Sequence, residues 1–416
     1  MQGVMKWYVF WRVKIMTYKV AKWKIVFSII IFFYALPASL YRLPIFGLIQ
    51  DCIGILCFLF FILHIKTIFE NNSRILLMII ISGVVYTIST VANGTGMMLT
   101  FSLFKRLVKS IGPLSVIAWN LDRRKEEALG IIWKTLAGIV VVNFITIILF
   151  PNGMYISGAY STNFFMGYHN SHIRWEVPMI MCKLLYDNIK RHTVTFSSFA
   201  LCLIVLASSI LVHSATSQII SVVLLGYILL EKAELLSKLR INSIHSLIIL
   251  VAGSIIVVGG TILSNQITLL KNVLEYFGKG TTINGRGMIW LSSLEAIKNK
   301  MWLGYGFELS EETSRRLVDS VGWGSSPHNL LLEVLYMGGI ALLICTIVIY
   351  VILYIKQKQC QSSGISRIIG VWLCIIAIMG IAEPQYEEYL KLCWTVSYGV
   401  LCLYTPGRIA YERVEK

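Results

Sequence analysis

The sequence predicts an all-α, polytopic membrane protein of about 12 transmembrane helices, with one long extracytoplasmic loop that contains short helices. Three observations predict it. Of the 416 residues, 56% are hydrophobic and only 14% charged, and the mean hydropathy is +0.73, well outside what a soluble domain shows. Apolar runs of about 17–25 residues recur, the length that crosses about 30 Å of hydrocarbon as helix; they are continuous rather than alternating, which excludes a transmembrane barrel. The basic residues behind the net charge of +16 fall in short segments between apolar runs. That is the signature of cytoplasmic loops facing anionic lipid, not of a nucleic-acid surface.

Residues 1–24 interleave Lys6, Arg12, Lys14, Lys19, Lys22 and Lys24 with Trp7, Tyr8, Phe10, Trp11, Tyr18 and Trp23. They read as a basic amphipathic helix on the inner leaflet, too long a lead for a cleavable signal. Residues 25–263 then hold the first nine spans, near 24–41, 45–65, 75–92, 97–120, 128–150, 176–189, 194–213, 217–230 and 244–263. The fourth is interrupted by Lys105, Arg106 and Lys109. Two readings compete there: a span whose outer third faces water, or an interfacial helix followed by a short crossing. The first is preferred, because Asp122 to Glu127 needs the cytoplasmic side; it makes the three cations a basic lining at membrane depth, where charge is costly and usually functional.

Residues 264–327 are the one long hydrophilic segment, with seven Lys/Arg against six Asp/Glu. Apolar residues at helical spacing predict helices over Gln266–Phe277 and Met288–Ile297, separated by a turn at Asn284-Gly285-Arg286-Gly287. Residues 328–404 carry spans ten to twelve, near 329–355, 367–383 and 389–404, and 405–416 form a cytoplasmic tail. Twelve crossings put both termini in the cytoplasm and residues 264–327 outside. Eight of the nine cysteines lie inside apolar runs, with Cys360 in an inner loop, so neither a disulfide framework nor a metal cluster is expected.

The residues that could carry chemistry gather in the outer segments. The stretch from Ser325 to Ile340 places Ser326 as an N-cap, Pro327 at the first helical position, and His328 and Asn329 in the first turn of a membrane helix, a good position for an anion. A bare interfacial histidine would look the same locally. His169, Asn170, His172 and Arg174 lie together before the sixth span, and Arg286 sits in the Gly-flanked turn. Arginines and a histidine at the outer face, without a carboxylate pair, cysteine nucleophile or metal-ligand cluster, suit a lipid-linked diphosphate. A guanidinium grips phosphate oxygens in a planar fork, and an imidazole takes a proton from an acceptor hydroxyl near neutral pH.

Gly285-Arg286-Gly287-Met288-Ile289-Trp290, then Leu303-Gly304-Tyr305-Gly306-Phe307, then Ser326-Pro327-His328-Asn329-Leu330-Leu331-Leu332-Glu333 with Gly338-Gly339, resemble the O-antigen ligase and O-antigen or capsule polymerase (Wzy-type) superfamily. The resemblance is close over this region and loose over the rest. Gly167–Asn170 is similar to the family's Gly-rich outer segment; Ser214-Ala215-Thr216-Ser217 lacks the arginine many members have in that turn, which makes Arg174 the substitute candidate.

The resemblance implies a metal-independent, inverting glycosyltransferase acting on undecaprenyl-diphosphate-linked oligosaccharide at the outer face of a bacterial cytoplasmic (inner) membrane, with no cofactor. Its catalytic residues would be His328, as base, and Arg286. Arg174, Asn329, His172, His169, Asn170 and Tyr305 would bind substrate, and Tyr305, Trp323 and Tyr336 are candidates for stacking on sugar rings. Implied partners are membrane lipids, a flippase and chain-length regulators. A surface-polysaccharide repeat-unit polymerase is the leading reading; a ligase with the same chemistry and a different acceptor is the alternative. A flippase or transporter is a third, disfavoured because few charges (Asp51, Lys134, Lys183) lie mid-span and no chain-wide repeat is visible.

Overall fold

The computed structural model describes residues 22–94, 96–157, 160–260, 282–308, 310–318, 326–383, 386 and 388–405. Most of the N-terminal basic-aromatic stretch, the expected Gln266–Phe277 helix, Trp323 and the tail after Thr405 lie outside the described residues. The chain is overwhelmingly helical, and a helix stands over each of the twelve apolar stretches. In order the described helices are α1 (22–34), a short α2 (Ala38–Tyr41), α3 (Pro44–Leu63), α4 (Ile65–Ala92), α5 (Met97–Leu149), α6 (Ile173–Arg191), α7 (Phe196–Leu211), α8 (Ala215–Lys232) and α9 (Ser243–Ser254), which a π-turn extends to Gly259. They continue with α10 (Thr282–Asn299), α11 (Ser310–Val318), α12 (Leu330–Gln359), α13 (Ser363–Ala382) and α14 (Glu388–Leu403).

Among the described residues, six helices are long and apolar enough to cross a membrane: Pro44–Leu63, Arg74–Ala92, Met97–Leu149, Ala215–Lys232, Leu330–Gln359 and Ser363–Ala382. Phe196–Leu211 and Ser243–Gly259 are apolar but shorter. The expected count of twelve crossings is therefore not reached on length and hydropathy. The shortfall is instructive at α6, which carries Arg174, Glu176, Lys183 and Asp187 yet buries twelve of its nineteen residues. Neighbouring helices enclose it, so Lys183 and Asp187 are solvated by protein. Lys183 pairs with Asp187, whose other oxygen accepts from Ser198 Oγ at 2.6 Å.

Two breaks organise the long helices. Helix α5 turns at Lys125 (φ 38°, ψ −110°), within the charged 122–127 segment, so its two arms take the places of the fourth and fifth expected spans. The first arm is unbroken from Met97, which fits the single-span reading. Helix α12 breaks at Gly339 (φ 60°, ψ −156°), and residues 301–306 cross the break and use the backbone groups it frees. Tyr305 N donates to Tyr336 O (2.8 Å), Gly306 N to Met337 O (2.9 Å) and Ile340 N to Met301 O (2.8 Å). A Cβ on Gly304 would lie 2.5 Å from Tyr336 O, and one on Gly306 2.4 Å from Thr90 Cα. These glycines thus serve close backbone approach, and Tyr336 O, Met337 O and Ile340 N at the break find partners in residues 301–306, as a membrane requires.

Two expectations are corrected, and one element is new. The turn at Asn284-Gly285-Arg286-Gly287 is absorbed into α10, because Ile289 and Trp290 are buried in a small second core with Tyr305, Leu317, Leu332 and Tyr336, and tertiary packing outweighs the helix cost of two glycines. Helix α12 starts at Leu330, not Pro327: Asn329 is the N-cap, its Oδ1 accepting from Leu332 N at 3.1 Å, and His328 before it is left-handed (φ 49°). The outer segment before α6, for which no element was expected, carries a small sheet. Tyr155–Ser157, Tyr160–Phe164 and Gly167–Tyr168 form a three-stranded antiparallel sheet, β1-β2-β3, seated by Met166 N donating to the buried Asn143 Oδ1 of α5 (2.9 Å).

Candidate active site

The site is built around Glu383, the residue just beyond α13. Its side chain is 2% accessible, and four separate segments converge on it. From α10, Arg286 Nη2 reaches Glu383 Oε1 at 3.1 Å while Nη1 donates to Ala382 O at 2.7 Å. After the sheet, Asn170 Nδ2 donates to the same Oε1 at 3.1 Å, and its Oδ1 accepts from Ser214 Oγ at 2.8 Å. From the turn before α12, His328 Nδ1 stands 3.8 Å from Glu383 Oε2, within reach as a charge partner but too far for a hydrogen bond. The fourth contribution is the charge of Arg174, at the start of α6.

Physical reasons fix each side chain. Trp290, one helical turn beyond Arg286, donates its indole N–H to Pro327 O at 3.0 Å and ties α10 to the His328 turn. Asn329 locks that turn from the other side, donating to Ser254 Oγ (3.0 Å) and Ile381 O (2.9 Å). The guanidinium and imidazole thus arrive at one carboxylate on backbone segments that are bonded to each other. Burial by itself would raise the Glu383 pKa, but His328, Arg286 and Arg174 outweigh it and hold the carboxyl down at about 2. The group is an anion at any physiological pH. Its Oε2 and His328 Nδ1 are both buried and make no hydrogen bond, an unsatisfied pair facing each other.

The predicted residues divide. Arg286, His328 and Asn170 contact the carboxylate or face it, and Arg174 acts on it through its charge. The others are engaged elsewhere. His172 is buried, its Nε2 at 3.0 Å from Gly167 O, and burial pushes its pKa down to about 4, so it is a neutral brace for the sheet. Asn329 is fully buried and occupied as cap and inter-helix tie. Tyr305 stacks on Tyr336 (ring centroids 5.0 Å, 22°) inside the second core, away from any open face, and His169 packs against Tyr168 at 5.4 Å. Among the described residues, no group of three or more His, Cys, Asp or Glu is placed to hold a metal ion.

Glu383 itself was not singled out from sequence. Its only local signal is an acid directly after the last apolar residue of a span and directly before Pro384, which reads equally well as a solvated turn.

Residues 196–347 match the family model described as O-antigen ligase. The match takes in Arg286 and His328 and ends before Glu383. An O-antigen ligase of Pseudomonas aeruginosa is 28% identical over 134 residues, covering 31% of this chain and 32% of that protein; the likeness thus spans about a third of the curated relative.

Proposed function

From the match of residues 196–347 to the O-antigen ligase family model, we propose that this chain is a membrane enzyme of the O-antigen ligase/polymerase superfamily that transfers glycan from a lipid diphosphate to a sugar hydroxyl, at the membrane face where Glu383 lies. We assign it to the joining of surface-polysaccharide repeat units. One observation carries the reading: Arg286 and His328 address the two oxygens of a single buried carboxylate.

The chemistry follows from that arrangement. The acceptor oxygen attacks the anomeric carbon from the face opposite the diphosphate, a new C–O bond forms with inversion, and the bond to the diphosphate breaks. The acceptor proton goes to His328. With Nδ1 turned to Glu383, Nε2 is the nitrogen that receives it, and the carboxylate stabilises the imidazolium. The leaving lipid diphosphate gains charge as it departs. Arg286, with 21% of its side chain accessible and one side fixed by Ala382 O and Glu383, meets that charge already oriented, and Arg174 adds to the field. No metal enters this scheme.

The ligase reading has one observation in its favour, the printed name of the Pseudomonas aeruginosa relative. The acceptor separates the two. Purified protein in liposomes, given lipid-linked repeat units and no nucleotide sugar, is expected to yield a ladder of longer products, and His328→Ala to yield none while inserting normally. Substrate carried across the bilayer without elongation would reject the enzyme reading. Cells lacking a polymerase accumulate single lipid-linked repeats, whereas cells lacking a ligase keep long chains on the carrier.

A further inference from the structure

A cavity of about 380 Å³ lies between α1, α3, α4, α5, α6, α12 and α14, and none of Arg286, His328, Asn170 or Glu383 lines it. It is next door to them. Trp175 in its wall follows Arg174, and Tyr386, also in the wall, donates its backbone N–H to Glu333 in the first turn of α12 (3.1 Å). Five of the lining positions lie toward one end of the bundle. Tyr34 ends α1, Tyr86 lies in the last turns of α4, Arg106 and Ser110 lie in the early turns of α5, and Glu388 opens α14. All of them fall at the end of the bundle that carries His328.

Two features of the wall define what it takes. The first is aromatic: Tyr34, Tyr86, Trp175, Tyr386, Tyr389 and Trp394 surround the space, several in edge-to-face pairs such as Tyr34–Trp175 (6.1 Å, 82°). Ser82, Ser110 and Gln50 stand between them. Rings that offer apolar faces, interspersed with hydroxyl and amide groups, match the alternating C–H and O–H surfaces of a sugar.

The second is charge. Glu388 is satisfied by Lys391 Nζ (2.9 Å), Ser110 Oγ (2.5 Å) and Tyr34 OH (3.1 Å). Lys109 is paired with Asp51 (3.1 Å). Arg106 alone of the lining cations has no carboxylate partner among the described residues; its guanidinium lies over the Phe307 ring at 4.7 Å. One uncompensated fork at the edge of an aromatic chamber suits one carboxylate. A diphosphate would call for more positive charge than two neutralised lysines leave available.

The geometry points to a second binding site in this cavity, for a sugar residue that bears a carboxylate, with Arg106 as its anchor and the aromatic walls holding the ring. Resting on the glycan-transfer reading above, it is the subsite that holds the acceptor end of the chain beside His328, and it selects acidic glycans. The lysine–acid pairs then act as rigid walls, not as ligands.

The test reads binding, not elongation, so it is independent of the catalytic assignment. The full chain in nanodiscs is titrated, by saturation-transfer difference NMR, with a disaccharide ending in glucuronic acid and with the matching disaccharide ending in glucose. The uronate is expected to bind about tenfold more tightly, the size of one charge-assisted contact at a partly exposed position. Arg106→Gln should remove that preference and leave the weaker neutral binding. Equal binding of the two sugars, a preference that survives in Arg106→Gln, or no binding of either at millimolar concentration would overturn the site. If His328→Ala still elongates chains while the uronate preference holds, the catalytic reading falls and this one stands.

Discussion

Helix α13 carries a buried arginine–glutamate pair at each end, and the two are finished differently. At its start, Arg367 donates from Nε and Nη2 to both oxygens of Glu231 (2.8 and 2.5 Å), with Nη1 on Ser237 O. Both carboxylate oxygens are used, and nothing is left to bind. Just past its other end, Glu383 spends one oxygen on Arg286 and Asn170 and presents the second to an imidazole it does not hydrogen-bond. A closed pair costs desolvation and returns packing and specificity. An open pair keeps charge in reserve, and a buried charge in reserve marks a place where another charged group arrives.

That contrast can be broken by substitution. The largest effect is expected at Arg286→Ala, which in the proposed reaction removes the oriented donor from the departing diphosphate and should lower transfer in proteoliposomes by about 10²–10³-fold; Arg286→Lys should recover little, because an ammonium lacks the planar fork. The mirror substitution at the closed end, Arg367→Met, should leave transfer per folded molecule unchanged. It strands Glu231, 8% accessible, and should destabilise the protein by about 3 kcal/mol, read as a lower melting temperature in detergent.

Next in size is Glu383→Gln, which keeps a side-chain carbonyl for Asn170 and removes the charge facing His328. Transfer should fall about tenfold or more, whereas Glu231→Gln should affect stability only. Asn329→Ala is a smaller, purely structural change: a lost cap is worth about 1 kcal/mol, and its two donated hydrogen bonds to Ser254 and Ile381 go with it. Melting temperature should drop while transfer per folded molecule persists, the opposite of what a substrate contact would give.

The smallest effect is one of pH. His172 has a folded pKa of about 4 against an ordinary 6.5, so between those values the unfolded chain binds a proton that the folded protein refuses. Stability therefore falls as pH drops through this window, and His172→Gln should flatten melting curves taken at about pH 7 and about pH 5. Glu383 has the opposite sign and another range. Its carboxyl is lowered from 4.5 to about 2, so its contribution is complete above 4.5 and is lost only as pH falls toward 2.

Much of this was legible in the sequence. Apolar run lengths located the helices over the twelve apolar stretches but not α2 or α11, and the Gly-x-Gly and Gly-Gly motifs stood out only as part of the family resemblance; that they serve the crossing of residues 301–306 over α12, by backbone approach without Cβ atoms, needed the structure. His328 stood out by residue type at a polar-to-apolar border, and Arg286 in a Gly-flanked turn of the long hydrophilic segment. Glu383 did not, because its importance lies in contacts with residues far away in the chain, and an acid after a span carries no periodic signal. The same blindness made Asn329 look like a ligand-facing residue: the sequence places an amide at a helix mouth but cannot say that Ser254 and Ile381 already occupy it. Lys105 and Lys109 read as a free basic lining until Asp51, mid-span on α3, was found paired with both.

The most direct test of the central claim is a double-mutant cycle between Arg286 and His328 in the elongation assay, using single-turnover rates with lipid-linked repeat units. If the two act on one transition state across Glu383, Arg286→Ala combined with His328→Ala should be scarcely slower than the worse single variant. Losses that multiply would mean the two residues work at independent places, and the shared site described above would be wrong.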